Sequence, residues 1–76
     1  MQVHYISIQP SNNPDIVLVD IRVKQFRQFK TNVISVLRSN KMGHLADILV
    51  SKGEVDEMLT EEQFGRLLQI SGDQPN

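Results

Sequence analysis

From residue 17 to residue 24 the chain alternates with a period of two. Val17, Val19, Ile21 and Val23 fall on one side, and Leu18, Asp20, Arg22 and Lys24 on the other. Successive strand side chains point to opposite faces, so the run predicts a half-buried β-strand. The more polar side begins with Ile16 and Leu18, which predicts cover on both faces where the strand starts. A second β-branched and aromatic run, Val3, Tyr5, Ile6 and Ile8, precedes it. Between them, residues 9–15 hold Pro10, Asn12, Asn13 and Pro14, the composition of a loop. Together these segments predict an antiparallel hairpin over residues 1–23, its loop too long for a tight turn. A two-stranded ribbon is marginal in water and its edges are open to pairing, so helices must cover it.

Beyond Val23 the spacing changes. Phe26, Phe29, Val33, Val36 and Leu37 recur at intervals of three and four, which predicts an amphipathic helix over 24–40. Thr31 and Asn32 offer caps for a shorter helix starting there. Met42, Leu45, Ala46, Ile48 and Leu49 predict a second helix, closed by Gly53 in the usual C-terminal glycine position. For the third helix, Thr60, Glu61, Glu62 and Gln63 form a capping-box sequence, with Leu59 and Phe64 placed to staple the entry. Residues 41–71 thus hold two helices, and 72–76 form a frayed tail. The expected fold is α+β, a two-stranded antiparallel hairpin followed by three helices (ββααα), in one domain spanning 1–76. Its expected core is Val3, Tyr5, Val17, Val19, Ile21, Val23, Phe26, Phe29, Val33, Leu37, Leu45, Leu49, Phe64, Leu67 and Leu68.

So short a chain gains only ~3–5 kcal/mol net from a single core. Nature braces such chains with disulfides, metals or oligomerisation. The chain has no cysteine and only two histidines, His4 and His44, far apart in sequence. Oligomerisation is the remedy left, and a homodimer is expected. No apolar run approaches the roughly 18 residues of a membrane span, the first residues do not resemble a signal peptide, and a cytoplasmic setting is the default.

Charge is strongly segregated behind a net value of -1. Residues 22–41 carry six cations (Arg22, Lys24, Arg27, Lys30, Arg38, Lys41) and no acid. Residues 42–62 carry six acids (Asp47, Glu54, Asp56, Glu57, Glu61, Glu62) against Lys52 alone. Opposed fields on one small body favour self-association or a charged partner.

Catalytic equipment is not evident. Nucleophilic mechanisms need a Ser or Cys beside an oriented base, and none of the serines sits in a Gly-x-Ser-x-Gly elbow. Asp56 and Glu57 lie in a dense acidic run, which reads as a solvated face. His4 reads as an exposed strand residue opposite Tyr5, and His44 as a partly buried helix-start residue. The four glycines are isolated, with no phosphate-cradling cluster. Gly65, inside the third helix, reads as surface slack or as a point of close helix approach. No enzyme activity, metal or cofactor is therefore expected.

Residues 59–71 (LTEEQFGRLLQIS) look like the second helix and turn of a repressor-type helix-turn-helix. In that family an alanine holds the place of Gly65 and a turn glycine that of Gln69. A recognition helix should follow Ser71, yet five residues remain, so base reading by this route fails.

Two functions follow. The favoured one is a small non-enzymatic protein–protein interaction module, regulatory or inhibitory, acting by surface occupation through a strand edge or a charged flank. Arg27, Lys30, Arg38, Glu57 and Glu61 are its candidate partner-binding residues. The alternative is a nucleic-acid-binding transcriptional regulator, using Lys24, Arg27, Lys30, Arg38 and Lys41 against phosphates.

Overall fold

A computed structural model describes residues 3–21 and 24–72. Four strands form one antiparallel sheet, and helices pack on one of its faces. The elements are β1 (Val3–Pro10), β2 (Ile16–Ile21), β3 (Lys24–Phe29), α1 (Lys30–Ser39), α2 (Gly43–Lys52), β4 (Val55–Thr60) and α3 (Glu61–Leu67), which runs on into a 3-10 turn, Leu68–Ser71. The strand order is β3-β2-β1-β4. The first three strands form a meander, and β4 returns after two helices to lie on the far side of β1.

This corrects the expected ββααα hairpin fold. β1 and β2 do pair, but β3 and β4 flank them. β3 occupies the first part of the expected 24–40 helix, and the helix begins only at Lys30. The physical reason is Gln28, which is fully buried. Its amide Nε2 donates to the carbonyls of Ile70 (2.7 Å) and Gly72 (3.3 Å), and its Oε1 accepts from the Phe29 N–H (2.8 Å). Phe26 and Gln28 thus face inward with period two, while Phe29 is 45% exposed. β4 occupies what read as an acidic connection. Its Val55 and Leu59 are buried, and the intervening Asp56, Glu57 and Met58 are exposed.

The core joins Ile6 and Ile8 of β1, Val17, Val19 and Ile21 of β2, Phe26, Val55 and Leu59 to the buried sides of the helices. From the helices come Val33, Leu37, Met42, Leu45, Ala46, Leu49, Phe64, Leu67 and Ile70. β1 therefore turns the opposite side inward from the one expected. Tyr5 is exposed, and so is Leu68. His4 faces the core side and stacks on Phe64, with ring centroids 4.3 Å apart. Its Nε2 is buried without a hydrogen-bond partner. Val23 lies outside the described residues.

Helix ends follow their local chemistry. Gly53 closes α2 with φ +81°, its N–H donating to the Leu49 carbonyl at 2.9 Å, a conformation costly for any residue with a Cβ. Thr60 and Gln63 make the capping box. The Gln63 N–H donates to Thr60 Oγ1 (3.2 Å), and the Thr60 N–H donates to Gln63 Oε1 (3.0 Å). Leu59 and Phe64 are both buried beside it. Gly65 is exposed, and an added Cβ would meet nothing within 4 Å, so close helix approach does not explain it. His44 is exposed rather than partly buried.

Candidate functional site: the uncovered face of the sheet

Because the core draws on alternate residues of each strand, the other alternate residues form a second face. Among the described residues no helix covers it. The strand register lays it out in rows. Tyr5 stands opposite Met58. Ser7 stands between Asp20 and Asp56, and Asp20 is in turn opposite Gln25. Leu18 stands between Gln9 and Arg27, and Ile16 is opposite Phe29.

Three of the five large apolar side chains that the described residues expose lie on this face: Tyr5 (50%), Phe29 (45%) and Met58 (59%). They occupy diagonally opposed corners. One corner is Tyr5 and Met58, at the end of β1 and β4 where β1 starts. The other is Ile16, Leu18 and Phe29, at the opposite end of β2 and β3. Between them runs the polar row of Ser7, Asp20, Gln25 and Asp56. A shallow depression of about 90 Å³ opens there, lined by Ser7, Gln9, Leu18, Asp20 and Gln25.

Charge follows the same diagonal. Asp56 adjoins the Tyr5/Met58 corner, and the Tyr5 hydroxyl donates to its carboxylate. That hydrogen bond, with some desolvation and the nearby negative charge, raises the Tyr5 pKa above its ordinary 10.0. Arg27 adjoins the other corner. The ion pairs found among the described residues, Arg38 with Asp47 at 3.1 Å and Arg66 with Glu62 at 2.7 Å, involve neither Arg27 nor Asp56. They do not join the basic stretch to the acidic run 54–62.

The candidate residues read from the sequence are dispersed. Arg27 lies on the uncovered face. Lys30 begins α1, beside an open cleft of about 350 Å³ under the loop of Pro10, Ser11, Asn12, Asn13 and Pro14. Arg38 is tied to Asp47 of α2. Glu57 pairs with Ile6 on the helix side of β4 but is exposed at the sheet edge, and Glu61 opens α3. The cationic flank required for nucleic-acid binding is split. Lys24 lies on the helix side of β3 and Arg27 on its other side. Lys30 and Arg38 are on α1, and Lys41 sits in the left-handed turn before α2, with φ +64°. Sequence reasoning placed Tyr5 and Phe29 in the core and gave Met58 no role, whereas all three are exposed on this face. Asp56, read as part of a solvated face, is exposed. Ile16 and Leu18, expected to be covered where β2 starts, are buried and half-buried.

Among the described residues no group of three His, Cys, Asp or Glu side chains is placed to hold a metal ion. No helix among them is long and apolar enough to cross a membrane. No family model, curated protein or solved structure matches the chain.

Proposed function

We propose that the chain is a small non-enzymatic protein–protein interaction module that acts by occupying a surface of another protein through the uncovered sheet face. The observation that carries this reading is the pair of apolar corners, Tyr5 with Met58 and Phe29 with Leu18, on a face without helical cover. Aromatic, methionine and arginine side chains are enriched at interface centres, and other charges are kept to the rim. Arg27 is the one sequence-derived candidate on that face, and Asp20 and Asp56 supply the opposite sign. A regulatory or inhibitory role follows from surface occupation.

The test starts with immobilised chain and an extract of the source cell. A captured protein is identified by mass spectrometry, purified, and titrated calorimetrically against the wild-type chain and the Met58→Glu and Phe29→Glu variants. Each substitution places a charge in an apolar corner and is expected to weaken binding at least ~10-fold. Unchanged affinity in both variants would remove the face from the account. If the chain instead binds duplex DNA with an affinity that falls steeply with salt, the nucleic-acid reading replaces this one.

A further inference from the structure

The uncovered face has a property beyond stickiness: its two halves complement each other. We infer that its occupant is a second copy of this chain, docked face to face about a two-fold axis. The Tyr5/Met58 corner of each protomer meets the Leu18/Phe29 corner of the other. This rests on the interaction reading above and uses the same face, so a bound second copy and a bound different protein exclude each other.

A two-fold contact is reciprocal: if patch one touches patch two, patch two must touch patch one. The face satisfies that demand twice over. Each apolar corner lies diagonally across from the other, and the charges beside them, Asp56 and Arg27, have opposite signs. An axis along the strands, or across them, would not bring one corner onto the other. An axis along the remaining diagonal, from the Lys24 end of β3 toward the Val55 end of β4, exchanges them. The strands of the two sheets then cross near a right angle, the orthogonal class of sheet packing. Arg27 of each protomer comes over the Tyr5 and Asp56 pair of its partner.

Edge pairing is the competing route, and the edges oppose it. Lys24 and Glu57 project from the helix side of the two outermost strands, and charges facing that way on edge strands deter sheet extension. The Phe29 N–H is already taken by Gln28. Size sets the strength. Four strands about 4.8 Å apart and about six residues long present a face of about 400 Å² in projection. That is about 800 Å² over the two protomers, below the standard size of specific interfaces, so the dimer is weak and concentration-dependent.

The experiment is sedimentation velocity over a concentration series on wild type, Arg27→Glu, Asp56→Arg and an equimolar mixture of the two variants, with far-UV circular dichroism confirming the fold of each. Wild type is expected to dimerise with rising concentration, and each variant alone to associate at least ~10-fold more weakly, through two like-charge contacts. The mixture is expected to recover wild-type affinity, because the introduced glutamate meets the introduced arginine while the native Arg27 meets the native Asp56. A second measurement needs neither charge change. The chain has no cysteine, so Met58→Cys and Phe29→Cys chains can be mixed and treated with a short bifunctional thiol crosslinker. Crosslinks between unlike chains, well above those in either chain alone, are expected. A strict monomer overturns the inference, as does a dimer indifferent to both charge changes or a mixture that does not recover. A monomer that still loses another protein on Met58→Glu would sink self-pairing alone and leave the interaction function standing.

Discussion

Gln28 shows how one side chain decides a segment. Its amide is wholly buried, and three backbone groups depend on it: the carbonyls of Ile70 and Gly72 and the N–H of Phe29. A buried polar group left unpaired costs ~1–3 kcal/mol. Gln28→Ala removes the partner of one buried group, the Ile70 carbonyl, and of two part-buried ones, and leaves a void. The expected loss is about 2–4 kcal/mol in urea denaturation, with faster amide exchange at Phe29. None of this was legible from the sequence, where a glutamine between Arg27 and Phe29 looks like a surface residue and hides the period-two signal of β3. Tyr5 offers a second check at this scale, because it is the only tyrosine in the chain. Its hydrogen bond to Asp56 raises its pKa above 10.0 in the folded chain. A raised folded pKa stabilises the fold below the unfolded value, and that contribution is lost as pH rises through the folded value. Titration of the phenolate by near-ultraviolet absorbance should show a midpoint above 10.0 in wild type and a lower one in Asp56→Asn. An equal midpoint in both would place the hydroxyl elsewhere.

The elements that could be read from sequence were those whose signals are local. The β2 alternation from Val17 to Ile21, the Gly53 helix end and the capping box of α3 appear where they were expected, although Lys24, expected at the end of that strand, opens β3 instead. β1 was legible as a strand but not in its facing, because both of its sides carry apolar residues and only the pairing with β2 decides between them. β4 was not legible at all. Glu57 stands on the helix side between the buried Val55 and Leu59, so its alternation is broken by the charge that protects its edge. α3 gives the sharpest test at this scale, since its two notable residues should move stability in opposite directions. Thr60→Ala removes the Oγ1 that accepts from the Gln63 N–H, leaves the Thr60 N–H bonded to Gln63 Oε1, and is expected to cost about 1 kcal/mol. Gly65→Ala fills open space on an exposed helix position and is expected to add ~0.5–1 kcal/mol. For a domain of this size, 1 kcal/mol moves the thermal midpoint by roughly 4–8 °C, so differential scanning fluorimetry reads both. A loss on Gly65→Ala would mean that a neighbour fills the space at that position.

For the whole molecule, the charge asymmetry of the sequence survives folding in another form. The stretch 22–41 does not make one basic helix; its described cations are spread over β3, α1 and the turn at Lys41. What remains polarised is the sheet, with Arg27 on the outer strand β3 and Asp56 on the outer strand β4. The size argument for a partner and the uncovered face then point to one surface. A two-fold along the unoccupied diagonal also has a cost. Asp20, on β2 in the row of Ser7 and Asp56, lies close to that axis, so the two Asp20 carboxylates face each other between the sheets. Packed sheets are about 10 Å apart, and two like charges at that range in a partly wet gap repel by roughly 1 kcal/mol. Asp20→Asn keeps the shape and removes the repulsion, so it should tighten the dimer about 5-fold. Asp47→Asn, on α2 away from the face, removes the same charge from the protomer and should leave association unchanged. Net charge alone would move both variants together. Only an axis near Asp20 separates them, and a tightening confined to Asp20→Asn would locate it.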